Sequence, residues 1–175
     1  MIKKNLIEKR GLSGVVSIVI FVGLAVAAIA LIWAVVQGLV EDETKKTESC
    51  FNILDKVTIN RDYTCYNSGE EELNFSINVG DINLDEVLVS ITDDLGTSKS
   101  FKISNNVQSL PNLAYPNGTA SVNLPEKNSG KTYIYYLGIA GMSIPSSIQI
   151  APVVNGEQCG ISDSQNEIDD CSIFV

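Results

Sequence analysis

The sequence predicts an α+β protein: a long hydrophobic N-terminal helix followed by an antiparallel β-sandwich head. Three observations carry this reading. Residues 12–40 form one apolar run flanked by charges, with "EKRG" before it and "EDETKK" after it. Past Cys50 the hydrophobic pattern changes to strict alternation, as in "LNFSINV". Turn-forming clusters such as "DDLG", "PNG" and "NGE" then cut the alternating part into short runs.

The helix comes first. Residues 15–36 number 22, with Ser17 as their only polar side chain. At about 1.5 Å per residue, about twenty helical residues cross the hydrocarbon core of a bilayer. This run is longer than the usual apolar region of a cleaved secretory signal. Ala25-Val-Ala27 and Ala28-Ile-Ala30 imitate the small-x-small pattern of a signal-peptidase site. Cleavage there would leave the apolar "LIWAVVQGLV" at the new N-terminus. Lys3, Lys4, Lys9 and Arg10 precede the run, so the positive-inside rule keeps that end in the cytoplasm and sends the head out. Gly23, Ala27, Ala30, Ala34 and Gly38 fall within an arc of about 80° on a helix, a stripe along which neighbouring helices can approach closely. Ala25 and Ala28 lie off that stripe. Trp33 suits the outer interface, where indole rings prefer to sit. Residues 41–48 are charged and lack glycine and proline, so the helix is expected to continue into them.

The strands of the head follow. In residues 73–79, Leu73, Phe75, Ile77 and Val79 share one face, as a half-buried strand requires. Val87, Val89 and Ile91 repeat the pattern, then Phe101 and Ile103, then Ala120, Val122 and Leu124. "DDLG" at 93–96 reads as the hairpin loop between 87–92 and 97–103. Residues 132–140 are more continuously apolar and suit a central strand. Ile148, Ile150 and Val154 supply a further one.

Charge and composition exclude several functions. Residues 1–11 carry a net +3, whereas the rest of the chain carries a net −12. So acidic a body repels phosphate backbones, which argues against a nucleic-acid partner. With no histidine, Ser-His-Asp and Cys-His arrangements are impossible. The paired carboxylates Asp93-Asp94 and Asp169-Asp170 read as solvated turn residues, so no catalytic role and no cofactor is expected. Asp163, Gln165, Glu167 and Asp169 alternate oxygen-bearing side chains, but the loop glycine and closing glutamate of a calcium loop are missing. No metal site is therefore assigned.

The four cysteines, Cys50, Cys65, Cys159 and Cys171, all lie beyond the apolar run and include no CxxC pair. They read as two disulfides in an oxidising compartment. Sequence distance favours Cys50 with Cys65 and Cys159 with Cys171, with two other pairings open. Asn74-Phe-Ser76 and Asn117-Gly-Thr119 match the glycosylation sequon, and Asn117, in a turn, is the better acceptor.

The junction "EKRGLSGVV" resembles the class III signal peptide of the archaeal type IV pilin and archaellin superfamily. The resemblance covers residues 8–36 and is only general over the head. It implies cleavage by a prepilin peptidase between Gly11 and Leu12, with the helix kept on the mature protein. Val16 stands where bacterial pilins usually carry a glutamate, which points away from the bacterial branch. The resemblance further implies an immunoglobulin-like head and three kinds of partner: the membrane, an assembly platform with its ATPase, and other copies of this chain in a homopolymeric filament. The expected organisation is a basic leader (1–11), the hydrophobic helix and its extension (12–48) and a disulfide-tied extracellular β domain (49–175). The expected function is that of a structural subunit of a pilus-like surface filament, inserted in the cell membrane before assembly. Two alternatives accompany it: a single-pass anchored binding module that never polymerises, and an archaellin subunit.

Overall fold

A computed structural model describes residues 7–171 except 52 and 54, with side chains described for 14–39 and from Cys50 onward. The chain divides after Lys45 into two compact units. The first is helical. Helix α1 (Ile7–Phe51) is unbroken and runs past residue 48 to the first cysteine and one residue beyond. No proline interrupts it, and the only glycines of the apolar run stand singly.

The head begins with β1 (Val57–Ile59), a single 3-10 turn at Arg61–Tyr63 and β2 (Cys65–Asn67). Then come the longer strands β3 (Glu72–Val79), β4 (Glu86–Asp93) and β5 (Ser98–Ser104). Three two-residue strands follow: β6 (Gln108–Ser109), β7 (Leu113–Ala114) and β8 (Ser121–Val122). The chain continues through β9 (Ser129–Tyr136), the one-turn helix α2 (Leu137–Ala140) and β10 (Pro145–Val154). It closes with β11 (Glu157–Gln158) and β12 (Asp163–Asn166).

Two five-stranded antiparallel sheets and a two-stranded one, β6 with β8, result among the described residues. Of the larger two, one has the order β1-β3-β9-β7 with β2 also paired to β3, and the other the order β11-β10-β4-β5 with β12 also paired to β10. The alternation expected at 73–79 places Leu73, Phe75 and Ile77 in the core, and Val87, Val89 and Ile91 face them from the second sheet. Ile103, Tyr133, Ile148 and Ile150 complete this shared interior. Phe75 stacks on Tyr133 at 5.3 Å between ring centroids, and Phe101 stacks on Tyr135 at 5.1 Å, so aromatic rings fill the space between the layers. Pro152 has no N–H to donate. It sits where the partner of β10 changes from β12, ending at Ile150, to β11, starting at Val153.

Three sequence expectations need correction. First, residues 132–140 are not one strand. β9 ends at Tyr136, the Leu137 N–H donates to the Glu71 carbonyl, and Gly141 closes a single helical turn at φ 69°. A Cβ added at Gly138 would meet the Glu71 carboxylate, the end of an exposed side chain that can swing aside. Second, the run at 120–124 forms only a two-residue ladder, β8 against β6, although Val122 and Leu124 are buried as the alternation requires. Third, the cysteines do not pair by proximity in sequence. Cys50 bonds Cys159 and Cys65 bonds Cys171, with separations of 109 and 106 residues.

The pairing follows from how the sheets close. The last segment of the head runs alongside the first. The Ile59 N–H donates to the Asp163 carboxylate at 2.9 Å, the Tyr66 N–H donates to the Asp169 carbonyl at 2.8 Å, and Tyr66 and Asp170 form a parallel bridge. Arg61 reaches both the Ser164 carbonyl (3.3 Å) and the Asp163 carboxylate (3.5 Å). The two disulfides bond across this seam. In the chain-entropy treatment, cross-linking a loop of about 100 residues removes about 4.7 kcal/mol of denatured-state entropy. Digestion of unreduced protein with trypsin and Asp-N is expected to join Cys50 to Cys159 and Cys65 to Cys171. Replacing Cys65 and Cys171 by serine is expected to lower unfolding stability in urea by about 2–5 kcal/mol.

Candidate functional site

The structure offers two surfaces for function: the apolar helix and the exposed ends of the head. Gly14–Leu39 is a 26-residue helical stretch long and apolar enough to cross a membrane. Its side chains, Phe21, Leu31 and Trp33 among them, are exposed all round within this chain. Burial of apolar surface is worth roughly 25 cal/mol per Å². A helix this apolar on every side therefore belongs in lipid or among other helices rather than in water. Gly23, Ala27, Ala30, Ala34 and Gly38 all lie on this stretch, and nothing else in the described chain comes within 4 Å of a Cβ built at Gly23 or Gly38.

Gly11 and Leu12, the expected cleavage junction, lie in the same continuous helix, as do Lys9 and Arg10. Lys3 and Lys4 lie outside the described residues.

Of the two acidic pairs in the head, Asp93 departs from the solvated turn expected; Asp94 and Asp169 are exposed. Asp93 is only 3% exposed. One of its carboxylate oxygens accepts from the Leu95 N–H (3.0 Å) and the Thr97 N–H (2.7 Å), closing the hairpin between β4 and β5. The other accepts from the Ser143 N–H at 3.0 Å, tying the hairpin to the segment before β10. The Ser143 hydrogen bond, first among these, holds the carboxyl below the ordinary aspartate value despite the opposing effect of burial. The turn expected at 93–96 is present, with Gly96 at φ 84°. The structural use of Asp93 was hinted at by "DDLGT", where an aspartate can accept from N–H groups two and four residues on. Asp94 is exposed.

The segment considered for calcium is not an open loop. Asp163–Asn166 is strand β12, and the Asp163 carboxylate is engaged by Ile59 and Arg61. The Gln165 side chain turns inward, opposite Ile148. Among the described residues no group of three or more Cys, Asp or Glu side chains is placed to hold a metal.

The two sequons sit in contrasting places. Asn117 is exposed in a turn, and its side chain accepts from the Thr119 N–H at 3.0 Å. Asn74 lies mid-strand, paired with Cys65 on one side and Ile134 on the other, and its amide donates to the Cys171 sulfur. Its sequon serine, Ser76, is 4% exposed.

No protein-family model matches this chain, and neither the curated proteins nor the solved structures contain a match.

Asp93 generates a pH prediction. A carboxyl lowered in the folded state stabilises the fold above its unfolded pKa of about 3.9, and this contribution is lost as pH falls through the folded value. Asp93→Asn is expected to lower the thermal midpoint of the head at pH 7. Followed by circular dichroism, its midpoint should then fall less than the parent's when pH drops below about 4.

Proposed function

We propose that this chain is a structural subunit of a type IV pilus-like surface filament, made as a membrane-inserted precursor and polymerised through its N-terminal helix. The observation that carries the reading is a basic junction, "EKRG", leading without a break into an all-apolar helix. Before assembly the helix spans the membrane with its N-terminus in the cytoplasm and the disulfide-tied head outside. A prepilin peptidase then cuts between Gly11 and Leu12.

The cut has a physical purpose. Each charge drawn to the centre of a bilayer costs about 2.5–3.5 kcal/mol. Removing Lys3, Lys4, Lys9 and Arg10 lowers the barrier to extracting the helix by an assembly platform and its ATPase. Packed beside identical helices, the apolar surface stays out of water and the heads coat the polymer. The stripe from Gly23 to Gly38 lets the helices come close.

An immunoglobulin-like description of the head accords with its strand order. The first, second, fifth and fourth positions of such a sandwich correspond to β1, β3, β9 and β7, and the facing sheet to β12, β10, β4 and β5. Glycosylation belongs to Asn117 on this reading, since a strand paired on both sides cannot bring Asn74 into an enzyme's active site.

Two measurements test the proposal. N-terminal sequencing of native protein from sheared filaments should begin at Leu12. Filaments lacking the chain, in cells that carry it intact from Met1, would leave the membrane-tethered module in its place. Mass spectrometry of the same material should find sugar on the Asn117 peptide and none on the Asn74 peptide.

A further inference from the structure

The end of the head remote from β1 carries an unusual combination of groups. At the near end, the Gly80 N–H donates to the Lys56 carbonyl, and Asp85 and Asn105 join the turns. At the far end stand the β4–β5 hairpin, α2 and the segment leading into β10. Leu95 at the hairpin tip is 79% exposed, Ile139 on α2 is 77% exposed and Ile144 is 52% exposed. The hairpin and the incoming segment are bonded together there, through the Asp94 N–H to the Ile144 carbonyl at 2.9 Å. Leu95 and Ile144 share a shallow cleft of about 430 Å³ with Tyr66, Glu71, Leu137 and Met142.

One carboxylate, Glu71, lines this apolar cleft, with Glu70 and Glu72 on either side of it in the chain and Asp94 next to Leu95. Glu167 and Asp169, from the last segment, line a separate cleft with Arg61. The Glu167 N–H donates to the Ser146 carbonyl and Ser146 in turn reaches Thr92 and Asp93, which places that segment beside the hairpin. No lysine or arginine occurs anywhere in 62–98 or in 132–175, the stretches that build this end. Lys99 stands opposite Ile91, below the turn. Burial first, and then the neighbouring Glu70 charge, raise Glu72 above the ordinary glutamate value.

We propose that this end of the head is a docking surface for a cationic polypeptide segment that inserts an apolar side chain between Leu95 and Ile144. Charge complementarity selects the occupant. A second copy presenting the same end would bring like charges together, and anionic lipid headgroups and nucleic acid would be repelled. A purely polar cation would leave the apolar cleft in water. Basic side chains around a leucine-like anchor satisfy both halves of the surface. The proposal is independent of polymerisation, since it concerns the head alone.

The test uses the full chain in phosphatidylcholine nanodiscs and a fluorescent dodecapeptide of alternating lysine and leucine, read by anisotropy against empty nanodiscs. Two companion peptides replace leucine by serine or lysine by glutamate. The lysine–leucine peptide should bind, more weakly as salt rises. The double variant L95S/I144S and the quadruple variant E70Q/E71Q/E72Q/D94N should each weaken binding by at least about tenfold. Hydroxyl-radical footprinting of the unaltered chain should show protection at Leu95, Ile139 and Ile144, which decides the matter even if a variant misfolds. The proposal is overturned by undiminished binding to L95S/I144S, by equal binding of either companion peptide, or by protection elsewhere. It is equally overturned if Leu95 and Ile144 instead mediate self-association or attachment to phosphatidylglycerol vesicles.

Discussion

The head depends on one constraint: its last segment must lie beside its first. β1 has three residues and β12 has four, too few to hold position by their own ladders. They are held because Asp163 accepts from Ile59, Asp169 accepts from Tyr66, and a disulfide crosses at each end of the seam. This closure covers the edges that β1 and β12 would otherwise present to solvent as unpaired donors and acceptors. It also fixes the last turn of α1, since Cys50 belongs to that helix and is bonded to Cys159.

Much of this architecture is legible in the residues, for a physical reason. Where a strand buries one face against a core, its sequence must alternate, and 73–79 and 87–91 do so. The hairpin at 93–96 is legible because a turn needs a residue that tolerates positive φ, and Gly96 supplies it. The membrane-length helix is legible because the solvent on every side of it is the same. What cannot be read is whatever depends on distant partners. β1 and β2 are too short to show a period, and their place comes from pairing with β3. The cysteine partners lie more than 100 residues apart, and sequence distance carries no information about a closure made by the whole fold. Asp93 looked like half of a solvated pair, yet the donor that distinguishes it from Asp94 comes from Ser143, fifty residues away.

The two units of the chain make opposite demands on their surroundings. The helix is apolar on all sides and needs to be kept from water. The rest of the sequence is strongly acidic, and self-repulsion of that kind keeps heads apart and soluble. Putting both in one chain suits a role at a boundary between lipid or packed helices and open water. The same acidity is uneven within the head. All its described basic side chains lie in 56–61 and 99–131, so 62–98 and 132–171 carry acidic side chains with no cation between them in the chain.

The crossed disulfides also govern how the head responds to a cut in its backbone. The exposed turns at 68–71, 94–96, 116–118 and 155–156 all fall inside both covalent loops, between Cys65 and Cys159. A protease that nicks any of them leaves an upstream piece holding Cys50 and Cys65 laced twice to a downstream piece holding Cys159 and Cys171. Neighbour-to-neighbour bonding would have let the two halves drift apart after a single cut. As built, a head cut once sheds nothing until a reductant arrives.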